Sequence, residues 1–286
     1  MKVEETTIGR VLTRSSGFLR TVCSHSLQPY QGCTHGNSLC GTSCYVRHNR
    51  WLTRGRPWGS FLEARVNAAA AYTAEHRRER RWARTSRDGF VVFLSSATDP
   101  FVPQEPRLGI TAAVLAAMVV DPPDGLIVQT HSPAVAEHID VLSALHKLCR
   151  LRVQLSVESD RDELPGLPPP IATVDARLAA ATQLHDAGLH VVICLAPLLP
   201  LAEPTAFFER LSRCADQIII DHFIGGDGTA DGRRTLATPL PSAMAAVDAQ
   251  SIALPYRDRM VALARQIMPG RVGVSRDGFA GRWQMD

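Results

Sequence analysis

Cys33, Cys40 and Cys44 fall within a short stretch, with six residues between the first two and three between the last two. Their neighbours are glycines and polar residues, where no core packing would call for a thiol. Thiolates held this close suit a soft metal ion or an iron–sulfur cluster. One alternative is a zinc site completed by Cys23, His25 or His35 as fourth ligand. Cys149, Cys194 and Cys214 sit instead in apolar surroundings, as small buried hydrophobes do. An odd total of seven, without a secretory leader pattern, argues against a disulfide framework.

The elements that must position these thiols are legible in outline. Residues 1–19 read as irregular, and Phe18–Leu27 as a strand entering a long glycine-rich loop over residues 28–59. Residues 60–84 read as a helix, with Ser60 and Glu63 as a capping box. Short β-branched runs then follow at Phe90–Leu94, Leu126–Gln129, Arg152–Val157, Val191–Leu195 and Gln217–Ile220. Helical stretches separate them at Leu108–Val119, Ala134–Cys149, Thr173–Ala187 and Ala206–Cys214. Apolar strands alternating with helices predict a buried parallel sheet. Six such units can form a doubly wound sheet or an open barrel, which periodicity does not separate. Residues 225–254 read as loops, followed by a helix near Tyr256–Ile267 and a short strand near Arg271–Ser275.

Hydrophobic residues make up 45% and charged residues 21%, an ordinary balance for a globular chain. No apolar run is long enough for a membrane span, and residues 1–20 lack a signal-peptide core, so a cytoplasmic protein is expected. The net charge of +3 conceals a polarity. Residues 1–100 carry 15 Lys+Arg against 7 Asp+Glu, and the remainder 16 against 21. The basic third includes the run from His76 to Arg84 and Arg47, Arg50, Arg54 and Arg56 among Trp51 and Trp58. Arginines interleaved with tryptophans can grip phosphates and stack bases, so nucleic acid is a candidate partner. A solvated helix end is the plainer role for the run.

Five segments together resemble the radical S-adenosylmethionine superfamily, and within it the proteins related to spore photoproduct lyase. They are Gln28–Cys33 (QPYQGC), Cys44–Arg47 (CYVR), Ser96–Glu105 (SATDPFVPQE), Thr130–Ser132 (THS) and Ala196–Pro200 (APLLP). The resemblance runs from about residue 20 to about residue 222. It implies a partial (β/α)6 TIM-like barrel over 20–224, with an extension over 1–19 and another over 225–286. It implies that Cys33, Cys40 and Cys44 bind three irons of a [4Fe–4S] cluster. The fourth iron is then left for the amino and carboxylate groups of S-adenosyl-L-methionine. An electron donor such as a flavodoxin or ferredoxin would be needed.

The resemblance also assigns strand-end residues to the cosubstrate. Ser96, Thr98 and Asp99 match the motif that holds the methionine amino group. Thr130, His131 and Ser132 stand where a cation commonly meets its carboxylate. Ser156 and Glu158 stand near the ribose hydroxyls, and Tyr45 near adenine. Asp221, His222 and the glycine turn at 225–228 lie at the sixth strand end, where a plain turn is favoured over a binding loop. Two departures are plain. The family spacing is three residues and then two. The cysteine that donates a hydrogen atom in spore photoproduct lyase is matched by Ser96, a poor donor. Cys194, at the end of a strand, is the candidate to replace it, against the commoner role of a core cysteine.

Overall fold

Parallel strands buried on both faces are largely apolar, and the runs Val191–Leu195 and Ile218–Ile220 are so here. The computed structural model describes residues 2–283. Its strands are β1 (Lys2–Thr6), β2 (Leu12–Arg14), β3 (His25–Leu27), β4 (Tyr30–Gly32), β5 (Phe61–Arg65) and β6 (Val91–Leu94). They continue with β7 (Gly125–Thr130), β8 (Arg150–Ser156), β9 (Val191–Leu195), β10 (Gln217–Ile220) and β11 (Val272–Val274). Eight form one sheet in the order β11-β10-β9-β8-β7-β6-β3-β2. Every pair in it is parallel except β2 with β3. The sheet keeps two edges, as in a partial TIM-like barrel that does not close.

Strand alternation sorts the side chains. Val128, Val153, Leu155, Ile193 and Ile218 enter the main core. There they meet Val114, Leu178 and Phe208, from the helices Ile110–Val120, Val174–Asp186 and Pro204–Cys214. The alternate residues form the inner face. Phe93 and Ile127 pack there with Val22 and Cys23, against Phe18 and Phe279. Val192, Cys194 and Ile219 pack against Phe279 and Trp283. Arg152, near the start of β8, donates to the Phe279 carbonyl at 3.0 Å. The segment after β11 therefore turns back and plugs the inner face toward the strand starts.

Several sequence expectations are corrected. Phe61–Arg65 is a strand, pairing parallel with β1 and antiparallel with β4. The helix begins only at Ala68, after Asn67, and runs to Ser86, so Ser60 and Glu63 make no capping box. Helix-forming Leu62, Glu63 and Ala64 are overruled by two flanking strands. Residues 1–19, read as irregular, hold β1 and β2. The expected strand Phe18–Leu27 divides into a 3-10 turn, Gly17–Thr21, and β3. The expected helix Ala134–Cys149 begins as a 3-10 segment, Pro133–His138, and becomes α-helical over Ile139–His146. Residues 225–254, read as loops, contain the helix Leu240–Val247. Among the described residues no helix is long and apolar enough to cross a membrane.

Candidate active site

The cysteine loop leaves β4 at Gly32, whose φ of 86° only glycine adopts readily; a Cβ there would lie 2.4 Å from the Phe61 carbonyl oxygen. Cys33 follows and is buried. Cys40 lies in the short helix Leu39–Ser43, and Cys44 ends it. Two backbone contacts fold the loop on itself. A Cβ on Gly36 would sit 2.1 Å from the Gly59 Cα, and one on Gly41 2.2 Å from the His35 carbonyl oxygen. Gly36→Ala is therefore expected to lower stability by about 1–3 kcal/mol, the usual cost of overpacking. A urea midpoint equal to wild type would show that the loop has slack.

Leu39 anchors the loop from outside. It is buried with Leu164, Leu199, Phe223, Leu240 and Met244 in a satellite core. Tyr30, fully buried on β4, donates its hydroxyl to the Glu105 carboxylate. Tyr45 is half-exposed and donates to the Ser96 carbonyl at 2.6 Å, joining the loop to the end of β6.

All three thiols are free. Burial pushes each up to about 12. Each is raised further by another of the trio, Cys33 by Cys44, Cys40 by Cys33 and Cys44 by Cys40. Cys40 also feels Glu158 and Asp99, so the loop faces the strand ends. Among the described residues no three His, Cys, Asp or Glu side chains are grouped as ligands of one metal ion. Three buried thiols in one glycine-cramped loop are a soft donor set that suits an iron–sulfur cluster, and raised as they are they would need bound positive charge to become thiolates.

The strand-end residues form one network. Asp99 accepts from the Thr130 hydroxyl at 2.8 Å, from the Phe101 amide at 2.9 Å and from the His131 amide at 2.7 Å. His131 Nε2 lies 2.9 Å from Glu158 Oε1, and its Nδ1 lies 3.8 Å from Asp99. Arg177, from the helix Val174–Asp186, donates to Glu158 Oε2 at 2.8 Å and to the Ser156 carbonyl at 2.9 Å. Two carboxylates, one imidazole and one guanidinium thus alternate. Arg177 escaped the sequence reading, although a cation on the stripe of Val174, Leu178 and Ala181 was its signal.

Burial opposes charge on His131 and Glu158, but their mutual attraction prevails. It raises the imidazole, and with Arg177 it holds the Glu158 carboxyl down at about 2. The sign of each contribution follows. The Glu158 share is present above the ordinary value of 4.5 and fades as pH falls toward about 2. The His131 share is full below its ordinary 6.5 and is lost as pH rises through its raised value. His131→Gln should therefore melt below wild type between about pH 4.5 and 6.5 and converge with it on the alkaline side. A gap that stays constant into the alkaline range would contradict charge pairing.

The remaining candidates are spread over this mouth and below it. Gln28, at the head of the loop, donates to the Ser96 hydroxyl at 2.9 Å and accepts from the Ala97 and Thr98 amides. Ser132 caps the turn beginning at Pro133. Ser156 accepts from the Gln129 amide at 2.8 Å. Ser156 is buried. Cys194 faces inward, wholly buried, its thiol aimed at Gln129 Oε1 at 3.8 Å. Asp221 accepts from Ser275, and His222 from the Ile224 amide while its Nε2 meets the Ser251 carbonyl. The glycine turn is tied by Asp227 to Thr229 and Thr235.

Of the zinc-ligand alternatives, two are engaged elsewhere. Cys23 contacts Ser15 at 3.1 Å, and His25 is sealed between Trp82 and Phe90 with Nε2 on Glu79. His35 stays at the mouth, its Nε2 buried without a partner. In the basic run, Arg78 pairs with Glu75 and Glu79, and Arg80 and Arg84 with Asp124.

No protein-family model matches the chain. Uncharacterized protein Rv2578c of Mycobacterium tuberculosis is 27% identical over 206 residues, covering 68% of this chain and 54% of the relative. Uncharacterized protein Mb2609c of Mycobacterium bovis gives the same values. The chain spans about half the length of the curated relatives it matches. Spore photoproduct lyase complexed with dinucleoside spore photoproduct superimposes with a TM-score of 0.62 at 15% identity, covering 95% of this chain and 81% of that one. A double mutant of that enzyme with bound AdoMet and dinucleoside spore photoproduct also gives 0.62, at 14% identity over 95% and 80%. At such identity the likeness is one of fold.

Proposed function

We propose that this chain is a radical S-adenosylmethionine enzyme with the spore photoproduct lyase fold, holding a [4Fe–4S] cluster on Cys33, Cys40 and Cys44. The observation that carries this reading is that one glycine-cramped loop holds all three free thiols and is tied by Gln28 and Tyr45 to the strand ends where Asp99, His131 and Glu158 meet. When bound, the cluster would supply the electron that breaks a sulfur–carbon bond of S-adenosylmethionine. A flavodoxin or ferredoxin would recharge it.

The protein's own part is positional. Gln28 and Tyr45 fix the Ser96–Thr98 turn beside the loop. The alternating charges of Asp99, His131, Glu158 and Arg177 leave the mouth near neutrality, which suits a zwitterionic amino-acid group. The Ser96 hydroxyl is engaged by Gln28 and its O–H is a poor hydrogen-atom donor, which supports a reaction other than spore photoproduct repair. The test is anaerobic reconstitution followed by dithionite reduction. We expect about four irons and four sulfides per chain, and 5′-deoxyadenosine and methionine from S-adenosylmethionine. A single zinc per chain with no 5′-deoxyadenosine would favour a metal-bearing nucleic-acid-binding protein instead.

A further inference from the structure

Ser38 stands at the N-cap of the short helix Leu39–Ser43, yet its side chain caps no amide. An N-cap serine ordinarily accepts from an amide two or three residues on. Here the hydroxyl faces two other groups. It donates to the His35 carbonyl at 2.6 Å and lies 3.3 Å from Cys40 Sγ. A hydroxyl carries one proton, so with that proton on His35 the Cys40 thiol is the donor of the second bond. The His35 carbonyl also accepts from the Ser38 amide at 3.0 Å. It therefore keeps a partner when the hydroxyl turns away, and the rotor reaches Cys40 without stranding a buried acceptor. The stretch between Cys33 and Cys40 holds two further buried atoms without a partner, Thr34 Oγ1 and His35 Nε2. Both are able to donate, so this stretch has more donors than acceptors of its own.

From this arrangement we infer that Ser38 is a positioning residue that tunes the cluster: its hydroxyl donates to the Cys40 sulfur once that sulfur is a ligand, and so eases one-electron reduction. The inference rests on the reading of the cysteine trio as cluster ligands. A ligating sulfur is a thiolate and has no proton to give, so the bond survives only if the hydroxyl supplies its own. The freed His35 carbonyl makes that exchange cheap. Reduction adds negative charge to the core and its sulfurs. A donor on one of those sulfurs stabilises the reduced state more than the oxidised one, and hydrogen bonds to the sulfurs are among the levers that set such potentials.

The experiment uses the full chain, reconstituted anaerobically with iron and sulfide. A redox titration followed by electron paramagnetic resonance gives the midpoint potential of the wild type, Ser38→Ala and Ser38→Thr. Ser38→Ala should keep about four irons per chain and be harder to reduce, by about tenfold in the reduction equilibrium, ~59 mV for one electron. Ser38→Thr keeps the hydroxyl and should return toward the wild-type potential. A purely structural role would move the melting temperature or the iron content and leave the potential alone. Ser38→Gly, which an N-cap tolerates nearly as well as serine, gives the same reading should the alanine variant lose its iron. An unshifted potential in the variants without the hydroxyl, a threonine variant no nearer wild type than alanine, or loss of iron from both alanine and glycine variants would overturn the inference. Cleavage of S-adenosylmethionine by the dithionite-reduced wild type is scored separately. A shifted potential without cleavage supports the inference and defeats only the radical-enzyme reading. Cleavage with an unshifted potential defeats this inference alone, and a wild type that takes up one zinc and no cluster overturns both.

Discussion

Cys40→Ala is expected to bring iron content after reconstitution from about four per chain to near zero, and 5′-deoxyadenosine formation to the level of a triple Cys→Ala control. With one thiolate gone, only two remain of the three that the proposed cluster would take from this loop. The stability of the apo chain gives the contrast. Cys40 is half-buried and its thiol meets only the Ser38 hydroxyl, at 3.3 Å. Its truncation should therefore cost less than about 1 kcal/mol before iron is added. Cys33→Ala and Cys44→Ala should behave alike. An alanine variant that keeps its iron, its brown colour and its product would defeat the ligand assignment at that position.

The second large effect concerns a residue that touches no candidate ligand. Arg177→Leu should destabilise the fold by about 3–5 kcal/mol, because it strands the Glu158 carboxylate without its buried cation. Arg177 is 3% exposed, so water offers no substitute. Adding Glu158→Gln should recover much of the loss, because the orphaned charge disappears with it. Urea denaturation of the two single variants and the double variant closes the cycle. Strict additivity would mean that the pair is not coupled.

How far the chain could be read in advance depends on whether the deciding partner was local. β9 and β10 are almost wholly runs of Val, Ile and Leu buried on both faces, and such runs announce themselves. β5 does not, because Phe61–Arg65 is made of helix formers and becomes a strand only through β1 and β4. The cysteine trio stands out as a candidate set by its spacing, and the structure keeps all three in one loop beside the strand ends. Asp99 was legible as a strand-end carboxylate, but not that three of the chain's own donors already occupy it. Arg177 acts from its helix on a strand-end carboxylate, a pairing no local pattern shows. Arg152, Gln154 and Ser156 alternate with Leu151, Val153 and Leu155, a pattern that ordinarily means solvent on one side. Here that side is the barrel's interior.

Phe18, Phe279 and Trp283 fill the inner face toward the strand starts, which makes that end of the open barrel the blind one. The Asp99, His131 and Glu158 network lies at the opposite end, where the strands finish. On the reading proposed above, traffic to the site would run through that one face of the molecule.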